Sequence, residues 1–190
     1  MTSRDPVTHL RELAAAATLS ADTLGDAITR AAELMRGTVR KGGTLFFCGN
    51  GGSAADAQHI ATEYVVRYSR ARRAIAAIAL TTDSSLLTAA ANDFSFDVVF
   101  ARQIEALGRA GDLLVIHTTS GNSPNLLRAV EAARRNGVQT LAFSARGGGA
   151  IAALVDHCVV IPVQRTDRAQ ELQMAIQHAI CELIDDDTAA

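Results

Sequence analysis

The chain has 190 residues, 48% of them apolar and 4% aromatic with no Trp, so it is long enough to bury a substantial core made of Ala, Leu, Val and Ile. Eighteen basic residues against 20 acidic ones leave a formal net charge of −2, and that field attracts neither a nucleic-acid backbone nor an anionic membrane surface. The three cysteines, Cys48, Cys158 and Cys181, are odd in number and lie in apolar segments, no apolar run reaches ~18 residues, and the start "MTSRDPVTHLREL" is too polar for a signal peptide. Reduced core thiols and a cytoplasmic location are therefore expected.

From residue 7 to residue 40 the apolar positions recur at helical spacing in two segments, divided near "TLSADTL", where Ser20 or Asp22 would cap the second. Residues 1–40 are therefore expected to form an N-terminal helical hairpin. It has no strand of its own to cover, so its apolar stripe should meet another subunit, with its own sheet as the alternative. A strand is predicted over Thr44–Cys48 and a helix over about Ala54–Tyr68. Further strands follow near Ile75–Leu80, Leu113–His117, Gln139–Phe143 and Cys158–Ile161. They alternate with helices near 84–107 (broken around Asn92), 124–136, 148–154 and 168–185. This βαβ alternation predicts a single domain over 1–190 whose α/β core, 44–185, is a parallel sheet of five strands with helices on both faces. The basic run Arg67, Arg70, Arg72 and Arg73 is read as a solvated face or a subunit contact rather than a polyanion site.

In such a sheet the ligand lies beyond the C-terminal strand ends, where the strand order reverses. Two loops occupy those positions: "GNGGS" after the first strand and "TTSGNS", Thr118 to Ser123, after the third. With order 2-1-3-4-5 both open onto one crevice. The second loop places hydroxyls and free backbone N–H groups just before Pro124, at the start of a helix, an arrangement that favours a phosphate over a plain polar cap. The first loop also fits G-x-G-x-x-A through Gly49, Gly51 and Ala54, but no acidic residue follows about 20 positions on to hold a ribose, so no nucleotide is expected.

His59 and Glu63, four apart on the helix that leaves the glycine loop, share one helical face. Near a bound sugar phosphate the pair suits proton transfer or a metal; on an isolated helix it would be an ordinary surface pair. The last helix opens at Asp167, a candidate cap, and carries Gln170 and His178 two turns apart, a spacing that alone decides nothing.

Four stretches in order, "CGNGGSAADAQHIATE", "ALTTDSSLLTAAANDFSFDVVFARQIEALG", "TTSGNSPN" and "DRAQE…H…CELID", resemble the sedoheptulose-7-phosphate (phosphoheptose) isomerases of the sugar isomerase, or SIS, fold. The similarity runs from about residue 10 to residue 185. It implies a flavodoxin-like sheet, a homotetramer formed through the extra helices, and active sites between subunits. The substrate contacts it implies are Asn50, Gly51, Gly52 and Ser53 from one loop, Thr118, Thr119, Ser120 and Ser123 from the other, and Asn92, Asp93, Asp167, Gln170 and Glu63. The metal ligands it implies, for one zinc per subunit, are His59, Glu63, Gln170 and His178, with Glu63 and His178 as the catalytic acid–base pair.

The resemblance further implies conversion of sedoheptulose 7-phosphate to D-glycero-D-manno (or altro) heptose 7-phosphate through an enediol. The alternative within the same fold is a non-catalytic module that binds a sugar phosphate or a replication initiator; such modules lose the side chains at positions 63 and 178, which this chain keeps. Departures from the family pattern are Thr118 for Ser, Ala169 for Ile, Gln173 for His, and the segment "VVRYSRARRAIAA", which lacks the family's small residue and prolines.

Overall fold

A computed structural model describes residues 5–188. The first 35 of these that are helical, Pro6–Arg40, form a single helix α1, not the hairpin read from the sequence. Ser20, a candidate cap at the expected break, turns its hydroxyl back into the helix and donates to Ala16 O, as Thr18 and Thr23 do to Ala14 O and Leu19 O four residues back. With neither Gly nor Pro between Thr18 and Leu24, nothing interrupts the ladder. The C-terminal half of α1 buries Ala31, Ala32, Met35 and Val39 in the chain's own core, while Val7, Leu10 and Leu19 remain exposed.

Five parallel strands follow, β1 Leu45–Gly49, β2 Ala77–Ala79, β3 Leu113–His117, β4 Gln139–Ser144 and β5 His157–Val160, in the order β2-β1-β3-β4-β5. The helices between them are α2 Gly52–Val65, α3 Ser84–Asp93, α4 Ala101–Leu107 and α5 Pro124–Arg135, and α6 Thr166–Thr188 closes the chain. β2 is shorter than the predicted Ile75–Leu80 because only three of its residues pair in register with β1, although Leu80 N still donates to Phe47 O at 2.8 Å. The segment expected as a helix over 148–154 is a short 3-10 turn, Ala150–Ala153, entered through three glycines of positive φ.

Burial on both faces is written into the strands, which read as continuous apolar runs such as Leu45-Phe46-Phe47-Cys48. Leu45, Phe47, Leu113 and Val115 pack under α1, α2 and α6; Phe46, Cys48, Leu114 and Ile116 pack under α3, α4 and α5. All three cysteines are unpaired; Cys48 and Cys181 are buried core thiols while Cys158 is half-buried, and burial pushes the Cys158 thiol up to about 11 and the Cys181 thiol up to about 12. No helix among the described residues is long and apolar enough to cross a membrane.

Candidate active site

β1 and β3 are direct neighbours, with Gly49 opposite His117, so the loops that leave their C-terminal ends start at one level. The reversal of strand order falls between them, where an α/β sheet opens its crevice. The two loops are tied side chain to side chain: Asn50 Nδ2 donates to Asn125 Oδ1 at 2.9 Å, and Asn125 Nδ2 returns to Asn50 Oδ1 at 2.8 Å. Asn125, buried in the first turn of α5, was not singled out from the sequence; its signal is its place two residues after the last serine of the loop.

Between the loops lies a cavity of about 280 Å³. Asn50, Gly51, Gly52, Ser53, Thr118, Thr119, Ser120, Ser123 and Gln170 all line it, joined by Thr166 and His117. α2 and α5 both point their N-termini here, and neither end is capped by a side chain. Uncapped N–H groups, two helix dipoles and several hydroxyls are a setting for an anion.

The serine loop is braced from behind. Thr118 Oγ1 accepts from Gly121 N at 3.1 Å, Asn122 Oδ1 accepts from Ala150 N at 2.9 Å, and Gly121 passes Gly148 and Gly149 so closely that a Cβ on Gly121 would strike the Gly148 carbonyl and one on Gly149 the Ser120 and Gly121 backbone. Gly121 and Gly149 both have positive φ, which the crossing requires. Gln173, one of the departures from the family pattern, is fully buried and donates to Thr118 O at 2.8 Å and Phe143 O at 3.0 Å, fastening α6 to the same loop. Ala169, another departure, is also fully buried.

Beside the cradle, α2 and α6 bring His59, Glu63 and His178 together. His59 Nε2 lies 3.0 Å from His178 Nε2 and 3.3 Å from Glu63 Oε1, and one ligand atom from each of the three falls within 4.8 Å of the others. Burial holds the His178 imidazole below its ordinary range, its neighbour His59 adds to this, and Glu63 works against it. Two imidazole nitrogens and a carboxylate converging on one point suit a zinc-like ion. Gln170 sits on the cradle side, its amide against Gly52 and 3.5 Å from Ser53 Oγ.

The other sequence-derived candidates sit apart. Asn92 and Asp93 are exposed at the end of α3, Asn92 Nδ2 donating to Asp93 Oδ1 at 2.8 Å, and Asp93 lines a different, apolar hollow with Leu86, Phe94 and Arg102. Asp167 is engaged by Arg165, whose guanidinium donates to it at 3.1 and 2.5 Å and holds the carboxyl down at about 2. Within the basic run, Arg70 pairs at the surface with Asp186, but Arg72 is a correction to the reading of a solvated face. Its side chain is 1% exposed and forms an ion pair with fully buried Asp185, because that carboxylate needs a compensating charge inside the protein.

Comparisons with known proteins follow the same lines. The SIS domain model matches residues 9–145. The chain is 47% identical over 165 residues to the phosphoheptose isomerase of Akkermansia muciniphila, covering 87% of each. Its fold superposes on the phosphoheptose isomerase of Neisseria gonorrhoeae with TM-score 0.90 at 44% identity, over 95% of this chain and 96% of that one. It superposes on the Francisella tularensis phosphoheptose isomerase with TM-score 0.93 at 34% identity, over 98% and 100%.

Proposed function

The chain belongs to the SIS domain family and, within it, to the phosphoheptose isomerases, and from that membership we propose that it interconverts sedoheptulose 7-phosphate and a heptose 7-phosphate. The observation that carries the reading is the pairing of an anion cradle with the His59, Glu63 and His178 cluster along one helix. His59 lies seven residues beyond Gly52, about 10 Å along α2. A seven-carbon ketose with its phosphate on C7 holds its carbonyl carbon about 8 Å from phosphorus when extended, at roughly 1.2 Å per bond as in an extended polypeptide. With the phosphate between the loops, C1 and C2 therefore arrive beside the cluster.

Isomerisation needs a proton moved between C1 and C2 through an enediol. Glu63 serves as the base for the carbon proton, and His178 moves the proton on the sugar oxygens. Ser120, Ser123 and the N-terminus of α5 hold the phosphate, and Asn50 keeps the glycine loop in register through Asn125. His59, Glu63, His178 and Gln170 are the residues that would hold a zinc ion. Such an ion, when bound, supplies polarisation of the carbonyl and hydroxyl oxygens. The reading as a non-catalytic binding module is not favoured, because Glu63 and His178 are both present and adjacent.

The assembly proposed is a homotetramer in the cytoplasm, with active sites between subunits. The exposed apolar side chains Val7, Leu10 and Leu19 on α1 and Phe94 and Phe96 after α3 support it, as does the placement of Asn92 and Asp93 outside the cradle of their own chain. The functional reading is tested by incubating the purified protein with sedoheptulose 7-phosphate and following the aldose C1 proton by NMR, with and without chelator. Absence of aldose in the metal-loaded protein overturns it.

A further inference from the structure

The seam between α2 and α6 ends in an ion pair that the isomerase reading leaves without a task. The side chains of Arg72 and Asp185 are 1% and 0% exposed, and Arg72 Nε donates to Asp185 Oδ1. The carboxylate also accepts from Ser69 N at 2.7 Å and Arg70 N at 3.0 Å. The guanidinium donates further to Glu63 O at 2.7 Å, Tyr64 O at 2.9 Å and Arg73 O at 3.0 Å. Burial raises the Asp185 carboxyl, but these donors outweigh it and the group is held below its ordinary value, hence charged. The pair thus engages the Glu63 and Tyr64 carbonyls at the C-terminal end of α2 and clamps the segment after it onto α6.

That segment carries Tyr68, whose ring stacks on His178 with centroids 5.4 Å apart and planes 20° from parallel. His59 meets the same imidazole at its Nε2 edge, ring centroids 5.1 Å apart and planes tilted by 56°. His178, Cys181 and Asp185 recur at heptad spacing along the face of α6 that meets α2. One clasp therefore reaches both members of the proposed acid–base pair: Glu63 through its own carbonyl, and His178 through the ring of Tyr68.

We propose that Arg72 and Asp185 form a buried clasp that holds the Tyr68 ring against His178, making Tyr68, Arg72 and Asp185 positioning residues for proton transfer. The inference rests on the isomerase reading for its catalytic consequence, but its geometry is independent of it. Arg72 is suited to the task because its planar fork reaches a carboxylate and three carbonyls at once, which a lysine ammonium cannot. Tyr68 acts through its ring face, so Phe should replace it and Ala should not.

The test combines turnover with a structural readout that needs no activity. Tyr68 is only partly buried, so Tyr68→Ala and Tyr68→Phe are expected to fold. With histidine labelled at Cε1, the His178 ring proton should carry the ring-current shift of a stacked aromatic in the wild type and in Tyr68→Phe, and lose it in Tyr68→Ala. Tyr68→Ala should lower kcat about ten- to a hundredfold with little change in KM, the size expected for a misplaced catalytic group. Replacing the whole pair, Arg72→Met with Asp185→Leu, avoids leaving one buried charge alone. The double variant should lose the same ring-current shift and the same kcat. A stacked His178 in the double variant overturns the clasp, and unchanged kcat in Tyr68→Ala overturns the positioning role. If the wild type shows the shift but forms no aldose, the isomerase reading falls while the clasp stands on the NMR result.

Discussion

His59 and His178 stand Nε2 to Nε2 at 3.0 Å although 119 residues separate them, and Glu63 Oε1 closes the triangle 3.3 Å from His59. Two imidazoles at that distance share at most one proton between the facing nitrogens, so the arrangement is matched to a cation in place of that proton. His59→Ala should therefore abolish stoichiometric zinc binding, measured by metal analysis after dialysis, while circular dichroism stays unchanged. Retention of a full equivalent of zinc would remove His59 from the site.

Glu63→Gln keeps the shape of the side chain and removes its basicity. Turnover of sedoheptulose 7-phosphate should fall roughly 10²-fold or more, the usual contribution of a general base, with the substrate dissociation constant nearly unchanged. Near-wild-type turnover would transfer the carbon proton to another group.

Ser123 is the N-cap residue of α5, yet its hydroxyl makes no capping bond, and the Ser120 hydroxyl does no more than accept from Asn122 N at 3.3 Å. Ser120→Ala with Ser123→Ala should thus leave thermal stability within a few degrees of wild type and weaken sugar-phosphate binding severely, as read by titration calorimetry. An unchanged dissociation constant would place the phosphate elsewhere.

Gly52 opens α2 with a helical backbone, and a Cβ there would run into the Gln170 amide. Since Gln170 is a flexible side chain, Gly52→Ala should fold and push it out of place, lowering affinity for substrate and zinc together. A crystal structure of the variant with Gln170 unmoved and wild-type kinetics would contradict the assignment of Gln170 to the site.

His117 is fully buried between Phe47 and Phe143, hydrogen-bonded to Gln177 at 3.0 Å, and burial pushes its imidazole down to about 4. The folded protein keeps this ring neutral while the unfolded chain protonates it near 6.5, so its linkage leaves stability intact above about 6.5 and removes it as the pH falls towards 4. Two and a half pK units correspond to about 3 kcal/mol over that window. Replacing the pair by His117→Leu with Gln177→Leu should flatten that part of the stability–pH curve in denaturant titrations. An undiminished acid slope would assign the loss to other groups.

Much of the architecture was legible along the chain because its signals are local. The apolar runs of β1, β3 and β4, the glycine loop and the polar loop before Pro124 each depend on neighbours a few residues away, and they located the sheet, the crevice and the cradle residues to within a residue or two. The His59 and Glu63 face followed from helical period alone. The hairpin reading fails for an equally local reason: Ser20 in mid-helix looks like a cap until its hydroxyl is seen to donate backwards to Ala16 O in the preceding turn.

What only the tertiary structure decided is which distant groups meet. His178 joins His59 and Glu63 because α2 and α6 pack side by side on the same face of the sheet. Asn125 matters because α5 starts beside the glycine loop, and Arg72 leaves the surface run because Asp185, 113 residues later, is buried against it. Periodicity describes which face of an element is apolar, but the partner of a buried polar group is fixed by the requirement that its charge and hydrogen bonds be satisfied in three dimensions. That requirement selects among residues far apart in the chain, and no spacing along it records the choice.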